Sequence, residues 1–182
     1  TEDAETALDI HSRGWESMYL NRAMIAGLQP ETFASFIQQR GRWATGMMQI
    51  LILKNPLFRS GLSLAQRFCY LNSMSYWLFP VVRMTFLLGP LFYLFFGLQV
   101  FVVQPDEVMA YILPYLLVAF LVQNGLFARV RWPLISEVYE IAQTPYLLMA
   151  VFKTMLRPHA AKFNVTAKDE SLDNDFISPV MK

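Results

Sequence analysis

Cysteine, histidine and charge are all scarce in this sequence. Its 182 residues include one cysteine, Cys69, and two histidines, His11 and His159. One thiol excludes a disulfide within the chain, and neither histidine has partners at metal-ligand spacing. Charged residues form 16% of the chain and the net charge is +1, whereas nucleic-acid-binding domains usually show a basic excess. The sequence therefore predicts no disulfide framework, no metal ligands and no nucleic-acid partner.

Long apolar stretches are what the chain does contain. Hydrophobic residues make up 55% of it and aromatic residues 15%. Residues 68–103 carry a single charge, Arg83, and residues 108–128 carry none. Both stretches are long enough to cross a bilayer and exceed ordinary core helices, which disfavours the alternative of two buried helices in a soluble protein. We therefore predict a transmembrane hairpin. Kinks are expected at Pro80, Gly89 and Pro90.

The charges that flank this hairpin predict its orientation. The connecting loop, residues 104–107, carries only Asp106 and Glu107. The segments that precede and follow the hairpin carry seven cationic residues: Arg40, Arg42, Lys54, Arg59, Arg67, Arg129 and Arg131. Cationic residues concentrate on the cytoplasmic side of membrane proteins. We expect both ends of the chain to be cytoplasmic, the loop 104–107 to be outside, and lipid to surround the hairpin.

The segment before the hairpin has the pattern of a soluble region. Acidic residues follow Thr1, a candidate N-cap, and Gly14 is a stop signal, so residues 1–14 are predicted to form a helix. Residues 15–20, WESMYL, fit a short strand. A second helix is predicted to begin at Pro30 and to continue over residues 31 to about 53, where apolar residues recur at helical spacing.

After the hairpin the chain becomes amphipathic and then polar. Residues 133–156 mix apolar side chains with Glu137 and Glu140, and we expect Pro145 to interrupt them. This composition favours a helix lying at the membrane interface over a third span. Pro158 predicts the end of that helix, and a loop should follow.

Two short patterns in the soluble region are candidates for chemistry. Gln39, Arg42 and Trp43 share one face of the predicted helix. An arginine fork suits phosphate and a tryptophan face suits a sugar ring, although such residues beside a membrane are also typical interfacial anchors. The TED at residues 1–3 offers carboxylates, although acidic residues in a first turn often serve only the helix dipole.

Taken in order, three motifs resemble those of bacterial cellulose synthase catalytic subunits, which are processive inverting glycosyltransferases. TED (1–3) matches the family's catalytic acid motif, and QRGRW (39–43) matches its Q-x-x-R-W. FNVTAK (163–168) matches its F-x-V-T-x-K gating loop. The resemblance covers essentially all of the chain. It implies a mainly α membrane protein in which the C-terminal piece of a GT-A glycosyltransferase domain precedes a transmembrane hairpin, an interfacial helix and a gating loop.

That resemblance implies a role for each motif residue. Asp3 would be the general base that accepts the proton of the acceptor hydroxyl, and Thr1 and Glu2 would bind the substrate. Gln39 and Arg42 would hold the diphosphate of UDP-glucose. Trp43 would be the platform for the terminal glucose of the growing β-1,4-glucan.

The gating loop and the membrane path are implied in the same way. Phe163, Val165 and Thr166 would close over the nucleotide, with Lys168 nearby. The candidates that would line a glucan channel are polar or aromatic: Tyr70, Asn72, Tyr76, Trp77, Arg83, Tyr93, Ser136 and Glu137. Arg83 is the most informative of them, because a charge within a membrane normally faces a cavity or a partner. For each aromatic residue, helix packing is the competing interpretation.

Two further patterns are rejected as sites. Asp173-Asn174-Asp175 has the D-x-D spacing of a metal-nucleotide motif, but it lies in a polar tail rather than at the end of a hydrophobic strand. Asn164-Val165-Thr166 is a formal glycosylation sequon on the predicted cytoplasmic side.

The resemblance also predicts an organisation and what accompanies it. We expect residues 1–60 to end the transferase domain, 61–131 to form the hairpin, 132–157 the interfacial helix, and 158–182 the gating loop and a truncated tail. The chain would be a piece of a longer bacterial inner-membrane protein, inactive by itself. The ligands of Mg²⁺ would lie outside this chain, as would a domain through which cyclic-di-GMP activates the enzyme. A periplasmic partner subunit would assist export of the glucan.

Two alternatives remain open at this point. Hyaluronan and chitin synthases also carry a catalytic acid motif and Q-x-x-R-W before membrane spans. A membrane channel or scaffold subunit without chemistry is the alternative outside the enzyme class.

Overall fold

The computed structural model describes residues 1–27, 29–30, 32–99, 102, 104–127 and 132–160, and its regular elements there are helical. In chain order these are α1 (Glu2–Ser12), α2 (Phe33–Gln49), α3 (Leu64–Ser75), α4 (Phe79–Phe96), α5 (Pro105–Glu107), α6 (Leu113–Phe127) and α7 (Pro133–Leu156). A π-helical turn, Ile50–Lys54, follows α2, and another, Val108–Ile112, joins α5 to α6. A 3₁₀ turn, Tyr76–Leu78, joins α3 to α4.

The soluble region differs from its predicted structure in two places. Residues 15–20 are exposed and have no regular structure, so the predicted strand is wrong. A strand needs a neighbour to satisfy its backbone groups, and no strand lies within the described residues. The predicted start of the second helix at Pro30 is also wrong. Thr32 is the N-cap of α2, because its hydroxyl accepts the Ser35 N–H at 3.1 Å and its own N–H donates to Ser35 Oγ.

Two helical stretches are long and apolar enough to span a bilayer. They run from Leu64 to Phe96, 33 residues, and from Pro105 to Phe127, 23 residues. In the most apolar window of each, only 6% and 0% of the residues are buried. Core helices of soluble proteins are mostly buried, so this exposure favours a lipid environment. The predicted pair of membrane-length helices is confirmed, while its orientation remains a prediction.

Helix α7 is continuous where an interruption was expected. Pro145 lies inside it, so the predicted break is wrong. Proline removes one backbone donor from the helix. The carbonyl left without its helical donor is that of Ile141, and helices continue through a proline where their surroundings satisfy such a group. The Thr144 hydroxyl donates to the neighbouring carbonyl of Glu140 at 2.6 Å.

The chain forms two compact units. The first unit comprises residues 1–80 and 145–182, of which the structure describes up to residue 160, and the second unit comprises residues 81–144. Two apolar clusters form the core of the first unit. One contains Ala44, Met48, Trp77, Leu147 and Val151. The other contains Leu8, Ile50, Leu62 and Met74, and Met47 and Leu51 pack against both.

Candidate functional site

The start of α1 lies directly against α2 in the first unit. The Thr1 side chain is so close to Gly46 that a Cβ at Gly46 would overlap it. Gly46 is buried and follows Arg42 by four residues and Trp43 by three, so all three belong to adjacent turns of one helical surface. The structure therefore brings the TED segment to the helical turn that follows QRGRW.

Electrostatics also couple these two segments. The pKa of Glu2 is lowered, chiefly by its own backbone N–H and to a smaller extent by the charge of Arg42. The Glu2 side chain is largely exposed, at 86%. An exposed anion therefore lies within the field of Arg42.

The predicted diphosphate-binding donors are unused within the described part of the chain. Gln39 and Arg42 are half-buried. Neither side chain makes a hydrogen bond or ion pair to another described residue. Asp3 is exposed in the first turn of α1 and is equally unpaired among these residues. The polar groups at the motif positions are thus available to a ligand.

A groove of about 340 Å³ lies beside these residues. Its lining comprises Thr1, Glu2, Glu5, Gly46, Gln49, Ile50, Leu53 and Lys54. Thr1 and Glu2 are the predicted site residues that line it, while Asp3, Gln39, Arg42 and Trp43 do not. Sequence reasoning missed Glu5, Gln49 and Lys54. The helical spacing of Glu5 after Thr1 was a usable signal, but the distant partner Lys54 was not readable from spacing.

Ion pairs hold α1 to the π-helical turn Ile50–Lys54 and to Arg59 after it. Lys54 Nζ lies 2.8 Å from Glu5 Oε1 and 2.9 Å from Asp9 Oδ2. Arg59 Nη2 lies 2.8 Å from Asp9 Oδ1. The Lys54 hydrogen bond lowers the pKa of Asp9, and the bonds to Asp9 and then Glu5 raise the pKa of Lys54. These contacts fix the helix whose first turn carries TED.

Three of the predicted channel residues in the first unit have defined contacts. Trp77 is 8% exposed and belongs to the core cluster with Ala44 and Met48. Tyr76 is half exposed, with its ring edge toward Trp77. The Tyr70 hydroxyl is hydrogen-bonded to His11 Nδ1 at 2.7 Å. Burial and pairing therefore favour packing for Trp77 and Tyr70, while Tyr76 keeps a free surface. Asn72, a further candidate, is exposed.

In the second unit the predicted channel residue Arg83 is paired. Its Nη1 donates to Glu137 Oε2 and its Nη2 to Glu140 Oε2, both at 2.7 Å. Glu140 was not among the predicted site residues, although it follows Glu137 by three positions on α7. Tyr93 is 54% exposed, and Ser136 is half-buried near the start of α7. The charge within the apolar stretch thus has two anionic partners.

Several sequence predictions lie outside the described residues. These are the gating-loop residues Phe163, Val165, Thr166 and Lys168, together with the rejected patterns at Asn164 and Asp173. Among the residues described, no three His, Cys, Asp or Glu side chains come together to hold a metal ion.

Comparison with known proteins places the chain among relatives of greater length. The sequence profile of the family described as Cellulose synthase matches residues 1–177. The chain is 39% identical over 177 residues to the cellulose synthase catalytic subunit (UDP-forming) of Pseudomonas fluorescens, covering 97% of this chain and 24% of that protein. It is 38% identical over 175 residues to the corresponding cellulose synthase 1 subunit of Komagataeibacter xylinus, covering 96% and 24%. Cellulose synthase 2 of Novacetimonas hansenii is 39% identical over 177 residues, covering 97% and 11%.

These relatives match the chain almost from end to end, whereas the chain spans a quarter of their length or less. The match includes the TED and QRGRW segments that the fold brings together. The chain belongs to the cellulose synthase family.

Proposed function

We propose that this chain is part of a UDP-forming cellulose synthase and supplies the acceptor side of its active site and the first part of its membrane path. The observation that carries the proposal is the contact of Thr1 with Gly46, which places the TED helix start against the helix of QRGRW. The two motifs lie 36 residues or more apart in sequence. Their proximity in the fold is expected if both bind one substrate. The relatives named as UDP-forming catalytic subunits support the same reading.

The proposed reaction transfers glucose with inversion. The 4-hydroxyl oxygen at the non-reducing end of the glucan attacks the anomeric carbon of UDP-glucose. The bond from that carbon to the diphosphate oxygen breaks, and UDP leaves. Asp3 accepts the hydroxyl proton. Its exposed and unpaired carboxylate is suited to this role, because a general base must reach its proton directly.

The residues of QRGRW would act on the two substrates. Gln39 and Arg42 donate to the diphosphate, where negative charge develops as the bond breaks. Both have donors that no described residue uses. Trp43 supports the terminal glucose through its ring face, in a half-buried position beside the core of the first unit. Thr1 and Glu2 adjoin the acceptor end of the same site.

The rest of the proposal concerns the gating loop, which lies outside the described residues, and regions of the synthase beyond this chain. Phe163, Val165, Thr166 and Lys168 would close over the nucleotide and exclude water. Residues 1–60 would end a GT-A transferase domain whose remainder holds the nucleotide. Ligands for Mg²⁺ would lie in that remainder. Activation by cyclic-di-GMP and a periplasmic partner would also involve other regions.

The membrane arrangement follows from the same proposal. Residues 61–131 would form the hairpin in the inner membrane, with loop 104–107 periplasmic, and 132–157 the interfacial helix. The best-placed candidates to contact a glucan are the predicted channel residues whose side chains are exposed or half-exposed: Asn72, Tyr76, Tyr93 and Ser136. Lipid would cover the remaining apolar surface.

Replacing Asp3 by Asn in the full-length membrane protein tests the proposal. Loss of a general base should lower incorporation of labelled glucose from UDP-glucose into insoluble glucan by roughly 100-fold or more, with protein amount unchanged. Asp106→Asn, which alters an exposed carboxylate in the 104–107 loop, is the matched control and should retain activity.

Retention of activity in Asp3→Asn would assign Asp3 to the helix dipole instead, with a stability loss of about 1 kcal/mol or less. Chitin and hyaluronan contain N-acetylglucosamine instead of glucose, so polymer labelled from UDP-glucose that a β-1,4-glucanase digests would exclude both alternatives. Absence of labelled polymer from the wild-type protein with UDP-glucose and also with UDP-N-acetylglucosamine would favour a channel or scaffold.

A further inference from the structure

Arg40 lies between two tryptophans in the first unit. Its Cζ is 4.8 Å from the centroid of the Trp77 ring and 5.9 Å from that of Trp43. Both distances fall within the range of about 6 Å over which a guanidinium is attracted to an aromatic face. The Q-x-x-R-W pattern leaves position 40 unspecified, so sequence reasoning gave Arg40 only an interfacial charge. The geometry instead links it to the tryptophan of the motif.

The helical register of α2 explains this arrangement. Arg40 and Trp43 are three residues apart and therefore neighbours on the helix surface. Ala44 and Met48 continue the same face by four and eight residues, and both are buried against Trp77. Trp77 itself is 8% exposed, so its ring is fixed by the core. Arg40 thus joins a half-buried ring on α2 to a ring held rigidly in the Tyr76–Leu78 turn.

We propose that Arg40 is a positioning residue for the Trp43 ring and that Trp77 anchors it. This inference rests on the proposed function, in which Trp43 supports the terminal glucose of the acceptor. The Arg40 guanidinium lies within attractive distance of both ring centroids, and a planar guanidinium can stack on an aromatic face, whereas a lysine ammonium is a point charge without that planarity. In this arrangement Trp77 does not line the glucan path but sets the orientation of the residue that does.

Misorientation of Trp43 has a specific chemical consequence. If the terminal glucose is displaced, its 4-hydroxyl no longer lies in line with the anomeric carbon of UDP-glucose. Water then attacks that carbon in its place, and UDP-glucose and water yield glucose and UDP. A positioning role therefore predicts that hydrolysis increases relative to transfer. A general loss of folded enzyme would lower both by the same factor.

The test uses the full-length protein in lipid nanodiscs, with UDP-glucose labelled in the glucose. We expect Arg40→Gln to raise the ratio of free to polymerised glucose about two- to fivefold, the change that corresponds to one partly exposed cation–π contact. KM for UDP-glucose should stay unchanged. Arg40→Lys should give an intermediate ratio. Arg22→Gln, a change of an exposed arginine, is the matched charge control and should leave the ratio unchanged.

Trp77→Phe supplies an independent variant that keeps an aromatic ring. It should raise the ratio less than Arg40→Gln, and the fold-change of the double variant should be smaller than the product of the two single fold-changes because the residues act together. If Arg40→Gln does not accumulate, Arg40→Lys and Trp77→Phe carry the same test. An unchanged ratio in these variants, or an equal fall in both products, would reject the role of Arg40.

The two proposals fail separately. Full polymer synthesis by Asp3→Asn would remove the catalytic assignment whatever Arg40 does. Inactive Asp3→Asn together with a wild-type product ratio in Arg40→Gln would overturn the positioning role alone.

Discussion

The two units of this chain bury apolar side chains to different extents. In the first unit Leu147 and Val151 on α7 are fully buried, and α2 and the Tyr76–Leu78 turn contribute to the same cluster. In the second unit Leu117 and Phe120 on α6 are 54% and 46% exposed, and none of the α6 residues is buried. Helices α6 and α7 are both rich in leucine and aromatic residues. They differ in the surroundings of these side chains, which are protein in the first unit and the exposed surface in the second.

This difference indicates how each unit is stabilised. Burial of apolar surface away from water stabilises a soluble core. Lipid tails are as apolar as leucine, so burial of apolar side chains does not drive helices together in a bilayer. Polar contacts between helices then make up a larger share of the stabilisation. The second unit contains such a contact in the pairing of Arg83 with Glu137 and Glu140. The first unit should therefore be sensitive to cavities and the second to lost charge.

A matched pair of leucine truncations tests that contrast most strongly. Leu147→Ala should destabilise the protein by about 3 kcal/mol, because it removes a fully buried side chain and leaves a cavity. Leu117→Ala, at an exposed position on α6, should cost less than about 1 kcal/mol in a lipid or detergent environment. Thermal unfolding of the purified full-length variants in one detergent compares the two midpoints. Equal shifts would show that the α6 surface is packed as a protein core.

Loss of the Arg83 charge should be the next largest effect. Breaking a fully buried pair costs roughly 3–5 kcal/mol, because it leaves an uncompensated charge. The Arg83 side chain is 25% exposed, so we expect Arg83→Gln to cost about 2 kcal/mol, less than that range. Glu137→Gln is the control. Glu137 is 43% exposed and Glu140 still pairs with Arg83 in that variant, so its midpoint should shift less. A larger shift for Glu137→Gln would contradict this ranking.

The parts of the fold that local patterns determine were predictable from the sequence. The lengths of the two apolar stretches predicted the membrane-length helices, and the acidic residues before Gly14 predicted α1. The start of α2 was missed because Pro30 is a common first helical residue, whereas the Thr32–Ser35 capping box satisfies backbone donors more directly. Residues 15–20 were misread because alternation alone cannot supply the partner strand that a strand requires.

The site was predictable only as a set of residue types. The motif residues were assigned by the resemblance, and their roles remain predictions. Thr1 reaches Gly46, a residue that no pattern had marked, and Arg83 has Glu140 as a second partner. Such contacts join residues tens of positions apart, and their geometry depends on the packing of whole helices rather than on spacing within one.

The smallest expected effect concerns the ion pairs that hold α1 in the first unit. The Lys54 hydrogen bond lowers the pKa of Asp9 below its ordinary value of 3.8. The stability it contributes is therefore present above that value and is lost as the pH falls through the lower folded pKa. Lys54 has a raised pKa, so its contribution is full below its ordinary value of 10.5 and is lost as the pH rises through the higher folded pKa.

Asp9→Asn should flatten both the acidic and the alkaline dependence of the unfolding midpoint. These side chains are about one-third exposed, and exposed pairs contribute roughly 0.2–1 kcal/mol, so the shift near neutral pH should be small and should shrink in high salt. Asp106→Asn is the control, since Asp106 is exposed and makes no ion pair to another described residue. Identical pH profiles for Asp9→Asn and the wild-type protein would mean that the two ion pairs of Asp9 contribute nothing. The stability of the first unit would then depend chiefly on its apolar clusters, which would sharpen the contrast with the second unit.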